Sequence, residues 1–171
     1  EAEREFEEAI ELDPSMFDAH YYYARSAFEA GQFEKSVRLY EAAHHLRPED
    51  YQSLTLMSSP LRRLGRTDEA ERADARAIEC IEKSLEIDPT DARAYNLGAV
   101  VLANLGERER AREWTRQAVA LAPDDPVVLY NNACTLAVLG QDDEALDALE
   151  LAIAARVSHW DWISKDPDWE R

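Results

Sequence analysis

The sequence predicts an all-α solenoid in which about four antiparallel helical hairpins stack behind one leading helix. The first observation is a set of prolines that follow apolar, helix-like runs at steps of 34, 41 and 34 residues. The second is a set of glycines with the same steps, each 17 residues after a proline. Glycine ends a helix in the left-handed conformation and proline cannot continue one, so each interval predicts helix, turn, helix. The residues are Pro14, Pro48, Pro89, Pro123, Gly31, Gly65, Gly106 and Gly140.

This punctuation places the helices in order. A leading helix is expected over about residues 2–12, and each later interval predicts a pair of amphipathic helices, mostly about four turns long. The expected pairs are 16–30 with 33–46, 50–64 with 67–87, 91–105 with 108–121, and 126–139 with 142–155.

Small residues recur where the paired helices would cross. In the predicted first helices they are Ala24, Ser58, Ala99 and Ala133. In the second helices they are Ser36, Ala111 and Ala145, then Ala9, Ala43, Ala118 and Ala152. A unit of 34 residues with this pattern resembles the tetratricopeptide repeat family, and the likeness extends over about residues 1–157. It implies a right-handed superhelix whose first helices line a concave groove.

The resemblance divides the chain into repeat units and a tail. The implied units are 1–14 (a second half-repeat), 15–48, 49–89, 90–123 and 124–157, and the tail is 158–171. We expect Trp160, Trp162 and Ile163 to cap the last hydrophobic face, because a solenoid end needs cover. The alternative is a tryptophan anchor for a partner.

Three departures from the pattern carry information. Seven extra residues follow Gly65, which predicts one long helix over 67–87, either a spacer or a ridge that docks another domain. Two frames compete for its small positions, Ala70 with Ala77 and Ala77 with Ser84. Pro60 lies inside a first helix and predicts a kink. The leading helix lacks its partner, which suggests upstream repeats or an exposed face for self-association.

The net charge and the cysteine content limit the classes of partner and the cellular setting that we expect. The formal net charge is −17, so nucleic acid and membranes are not expected as partners. Cys80 and Cys134 form no C-x-x-C pair, and no apolar run reaches membrane-spanning length. A reduced, cytoplasmic setting is therefore expected.

No motif points to catalysis. The sequence contains no phosphate-cradling glycine loop and no H-E-x-x-H. His44 and His45 are adjacent on a helix and point about 100° apart, which disfavours a shared metal. Cys134 is expected as a packed thiol. We therefore expect no enzyme activity, no metal and no cofactor.

The family resemblance implies which residues face a ligand. Every basic residue on the predicted first helices is an arginine, and these helices are close to neutral in charge. We expect an extended peptide with an acidic group, since arginine binds carboxylates bidentately. The alternative is that these arginines pair with neighbouring acids such as Glu29. The expected groove residues are Tyr21, Arg25, Thr55, Ser59, Arg62, Arg63, Arg93, Asn96, Asn104 and Tyr130.

A closer likeness concerns the extended second hairpin, Asn132-Ala133-Cys134 and the tail from Asp161 to Asp168. These features are similar to tetratricopeptide regions that follow class III cyclase, protein kinase or winged-helix domains in bacterial regulatory proteins. The likeness implies a scaffold or regulatory part of a larger bacterial signalling protein. The alternative function is self-association into a homo-oligomer through exposed repeat ends.

Overall fold

A computed structural model describes residues 2–158 and 160–169, and all of its regular structure in these ranges is helical. The fold class predicted from the sequence is confirmed. The helices are α1 Ala2–Leu12, α2 Phe17–Glu29, α3 Phe33–Leu46, α4 Tyr51–Arg63, α5 Thr67–Ile87, α6 Ala92–Asn104, α7 Arg108–Leu121, α8 Pro126–Val138, α9 Asp142–Ala154 and α10 Trp160–Ile163. A 3-10 helix, Pro167–Trp169, follows. The first nine lie within about two residues of their expected positions.

The helices pack as four hairpins, α2 with α3, α4 with α5, α6 with α7 and α8 with α9. Each first helix ends in the same turn. Gly31, for example, has φ 76° and donates its N–H to Phe28, while Gln32 donates to Ala27. This is the Schellman arrangement, which satisfies the last carbonyls of a helix and needs a left-handed residue. The turns at Gly65, Gly106 and Gly140 repeat it.

Aspartates begin three of the first helices. Asp91 and Asp125, expected as N-caps, accept hydrogen bonds from the backbone N–H groups of Ala94 and Val128 respectively. Asp50 does the same for Ser53 at the start of α4. These caps satisfy N–H groups that have no partner inside the helix.

The small residues lie where the paired helices cross. Ala24, Ala99 and Ala133 are fully buried, and Ser36 on α3 donates its hydroxyl to the carbonyl of Ala24 over 2.8 Å. Backbones that approach this closely leave no room for a larger side chain. The small positions therefore set the spacing within each hairpin.

The long helix α5 joins two parts of the core. Ala70, Ala73 and Ala77 pack with α2, α3 and α4, whereas Ile78 and Ile81 pack with α6, α7 and α8. The two extra turns thus continue the buried face. Both small-residue frames expected from the sequence share Ala77, which is fully buried, and Ser84 is half-buried.

Two other departures have a structural outcome. Pro60 is buried inside α4, which continues as one helix to Arg63, and the kink stays a prediction. Helix α1 contacts α2 along one side, yet Ile10 remains half-buried and Leu12 is 88% exposed. Leu12 at the end of α1 therefore presents its apolar side chain to solvent.

Helix α9 ends unlike the other second helices. Arg156 has φ 64°, and it donates to Ile153 while Val157 donates to Ala152. This is the glycine turn of the first helices with arginine in the left-handed position. The turn reverses the chain after α9 and directs the tail toward the first helices.

Candidate functional site

The concave side is formed by the first helices α2, α4, α6 and α8, and the C-terminal tail lies in it. Helix α10 packs against α2, and the 3-10 helix packs against α8 and α4. The Trp162 ring lies 4.2 Å from the ring of Phe28, centroid to centroid. The tail therefore reaches from the last hairpin to the first.

This path changes the expected role of the tail. Ile163 packs against the last part of the core, together with Trp169, as a capping residue would. Trp162 contacts Phe28 of the first hairpin instead of serving solely as a cap. The side chain of Trp160, the third expected capping residue, lies outside the described residues.

Asp166 is the main polar contact between tail and groove. Its carboxylate accepts a hydrogen bond from the Tyr130 hydroxyl at 2.9 Å and from the backbone N–H of Asp168 at 3.1 Å. Trp169 donates its indole N–H to the same Tyr130 hydroxyl at 3.2 Å. Burial raises the pKa of Asp166, although these hydrogen bonds favour the carboxylate and act to lower it. Docking the tail therefore desolvates a carboxyl group.

The four groove arginines have different surroundings. Arg62 pairs with the buried carboxylate of Asp74 at 2.5 Å, and Arg63 lies over the Phe33 ring at 5.7 Å. Arg93 donates to the side-chain oxygen of Gln52 at 2.7 Å and to the Tyr21 hydroxyl at 3.4 Å. The alternative of pairing with neighbouring acids thus holds for Arg62.

Arg25 differs from these three. It is half-buried on α2, and within the described residues no hydrogen bond or ion pair engages its guanidinium group. It lines a cavity of about 170 Å³ together with Leu56, Leu97, Val127 and Trp162. Arg93 lines the same cavity, whose walls are otherwise mainly apolar, so it offers two cations in an apolar recess.

Two of the remaining expected groove residues, Asn96 and Thr55, are buried. Asn96 is 2% exposed, donates to the Val128 carbonyl and accepts from Asn131, so its amide serves the packing of α6 on α8. The expectation that Asn96 contacts a ligand stays a prediction, and its amide already bonds within the fold. Thr55 is buried and donates to the carbonyl of Tyr51.

A second, smaller cavity of about 50 Å³ lies beside the tail. Ser59 and Asn104 line it, as do Arg62 and Asp74. Burial raises the pKa of Asp74 even though Arg62 lowers it, so desolvation outweighs the ion pair. Polar and apolar side chains share its lining, and its small volume suits ordered water better than a ligand.

The tail also brings two carboxylates to Cys134. The Sγ atom and one carboxylate oxygen from each of Asp166 and Asp168 lie within 4.8 Å of one another, and all three residues are buried. Burial, then the charge of Asp166, raises the pKa of the Cys134 thiol. The protonated thiol is the form that this environment favours, and it is a poor metal ligand.

Two family models, both described as tetratricopeptide repeat, match the chain. One matches residues 1–51 and 24–83, and the other matches residues 80–113. Together they span residues 1–113 of the 171. The chain belongs to the tetratricopeptide repeat family. Such repeats are protein–protein interaction modules, and this chain has their helical hairpins and glycine turns.

One similar curated protein is much longer than this tetratricopeptide chain. Protein FlbA of Caulobacter vibrioides is 27% identical over 150 residues, which is 88% of this chain and 24% of FlbA. The chain therefore spans about a quarter of that relative's length.

Solved structures show the same repeat architecture. TTC0263, a thermophilic TPR protein from Thermus thermophilus, superposes with a TM-score of 0.64 at 22% identity, covering 94% of this chain and 84% of that chain. A MamA fragment from Desulfovibrio magneticus superposes with a TM-score of 0.54 at 16% identity, covering 90% and 82%. Identities this low show a shared fold. In the described part of this tetratricopeptide chain, no helix is long and apolar enough to cross a membrane.

Proposed function

We propose that this chain is an interaction module whose concave groove binds an acidic, partly apolar segment of a partner protein. The observation that carries the proposal is the Arg25 guanidinium in an apolar cavity, with no hydrogen bond or ion pair to the described residues. A guanidinium group binds a carboxylate through two parallel hydrogen bonds, and an apolar surround strengthens them. The apolar walls would take an aliphatic or aromatic side chain beside that carboxylate.

The charge distribution supports an acidic ligand at this place. The chain carries a net charge of −17, which would repel an acidic segment elsewhere on its surface. Arg25 and Arg93 both line the cavity, so positive charge is concentrated there. We further propose that the module is a regulatory or scaffold part of a larger bacterial cytoplasmic signalling protein, with 1–157 as its repeat array.

The test selects peptides from a displayed random library on the full chain and on its Trp162→Ala variant, whose tail ring is removed from the groove. Enriched peptides are then titrated by fluorescence anisotropy. Arg25→Ala should weaken binding about tenfold, as expected for loss of a charge-assisted pair. Arg116→Ala is the matched control, because Arg116 lies exposed on the outer helix α7 and pairs with Glu113.

Two results would contradict the proposal. One is that neither chain enriches any peptide. The other is that the enriched peptides bind the Arg25→Ala and Arg116→Ala chains equally well.

Self-association is a second candidate, favoured by apolar surface on α1. Leu12 is 88% exposed and Ile10 is half-buried. Exposed apolar side chains on a repeat helix can pair with the same surface of another chain.

A further inference from the structure

The tail occupies the groove as a bound peptide would. Its contacts come from different repeats, with Trp162 on Phe28 of α2 and Asp166 on Tyr130 of α8. Phe28 is fully buried and Tyr130 is 5% exposed, so both anchors meet recessed side chains. A partner peptide that displaced the tail would place a ring in the aromatic recess and its carboxylate beside Tyr130, which lines the same cavity as Arg25.

The spacing of the anchors defines their chemistry. Trp162 precedes Asp166 by four residues, and the turn after α10 joins them, with Lys165 donating its backbone N–H to the Trp162 carbonyl. Between the anchors, Ser164 is exposed. Ile163 and Trp169 add apolar packing on the last part of the core, while the Trp162 ring and the Asp166 carboxylate make the contacts with Phe28 and Tyr130.

The tail has little regular structure of its own. Helix α10 has four residues and the 3-10 helix has three, so neither forms a stable element by itself. Docking also buries the Asp166 carboxyl group, which opposes the gain from its hydrogen bonds. The tether to α9 offsets this weakness by keeping the tail at a high effective concentration near the groove.

We propose that residues 160–169 are a resident, displaceable ligand of the concave groove, and that the partner segment which displaces them presents an aromatic side chain four residues ahead of a carboxylate. The inference rests on the proposed function, since it takes the groove as the place where the partner binds. Displacement would uncover Cys134, which is 1% exposed and whose Sγ lies 3.9 Å from the Asp166 carboxylate.

Cys134 therefore reports on the docked tail. In the full chain with Cys80→Ser it is the only thiol, and its reaction with N-ethylmaleimide is followed by mass spectrometry. Trp162→Ala should speed the reaction about tenfold, as expected for loss of a buried anchor. Asp161→Ala is the matched control, an exposed acid in the same tail that should leave the rate unchanged. Circular dichroism establishes that each variant is folded.

A second measurement adds the tail in trans. A labelled synthetic peptide of residues 158–171 should bind the Trp162→Ala chain about tenfold tighter than the wild-type chain, whose own tail competes. The same peptide with Trp162→Ala should bind neither. Saturating peptide should protect Cys134 in the Trp162→Ala chain.

Opposite results overturn the inference. If the tail is a fixed part of the fold, substitutions in it should lower the unfolding temperature but leave the labelling rate of Cys134 unchanged in the folded variants. The synthetic tail peptide should then not bind to the chain in trans. If library selection fails while these two measurements succeed, the groove serves the tail alone. If selection succeeds while they fail, the groove binds partners beside a permanent tail.

Discussion

Arg62, one of the expected groove residues, contributes to the stability of the fold. Its guanidinium group pairs with Asp74, which is fully buried, so the ion pair compensates a charge inside the protein. Arg62→Ala should lower the free energy of unfolding by about 3–5 kcal/mol, because it leaves that carboxylate uncompensated. Arg63→Ala, the neighbouring substitution, removes a contact over the Phe33 ring and should cost about 1 kcal/mol. Urea unfolding measures both, and equal losses would contradict the assignment.

His44 should make stability depend on pH. It is 8% exposed, and its Nε2 accepts a hydrogen bond from Arg76. Burial, then the charge of Arg76, lowers the pKa of His44, so the folded state favours the neutral ring. Stability from this group is therefore present above the unfolded pKa and is lost as pH falls through it toward the folded pKa.

The expected result is a fall in the free energy of unfolding from about pH 7 to about pH 5.5 that shrinks in His44→Gln. His45→Gln is the control, since His45 is exposed on the same helix and its replacement should retain most of the fall. Identical pH profiles for the wild-type and His44→Gln chains would show that His44 does not carry this dependence.

Between α6 and α7, the packing depends on one glycine outside the 34-residue pattern. A Cβ atom at Gly98 would lie 2.3 Å from the Trp114 ring. Gly98→Ala should therefore cost about 1–3 kcal/mol by overpacking. In an unhindered helix the same change would stabilise the protein by about 1 kcal/mol, so a stabilised Gly98→Ala chain would contradict the close contact. Thermal unfolding of Gly98→Ala, with and without Trp114→Leu as the compensating change, tests the contact.

The turn after α9 should be improvable. Arg156 occupies a left-handed position that costs a non-glycine residue about 1–2 kcal/mol. Arg156→Gly should raise the free energy of unfolding by about 0.5–1 kcal/mol. The gain is smaller than the strain removed, because glycine adds backbone freedom to the unfolded chain. Gly140→Ala, at the matching turn after α8, should have the opposite sign. A destabilised Arg156→Gly chain would mean that the arginine side chain is needed there.

At the scale of the whole molecule, net charge opposes self-association, whereas the exposed end of α1 favours it. A net charge of −17 keeps copies apart at low salt, whereas Ile10 and Leu12 offer apolar surface. We expect light scattering to give 19.5 kDa at low ionic strength and a rising mass as salt screens the repulsion. Leu12→Asp should suppress the rise, and Leu146→Asp, on the outer helix α9, should not. A constant mass at all salt concentrations would exclude self-association through α1.

Much of the fold follows from contiguous residues. The spacing of Gly31 and its counterparts predicts where helices end, because a Schellman turn is encoded within six residues. The uninterrupted run over 67–87 likewise predicts α5 as one helix. Of the candidate site, the sequence predicts that arginines such as Arg25 face the groove, because the repeat fixes which helical face is concave.

The partners of those residues depend on tertiary structure. Asp74 was one of many acids on second helices until the packing of α4 on α5 brought it to Arg62. A single left-handed residue, Arg156, reverses the chain and sends Trp162 to Phe28, far away in the sequence. Local signals decide helices and turns because hydrogen bonding and backbone sterics act between near neighbours. The content of the groove depends on contacts between distant residues, which form only after the hairpins have stacked.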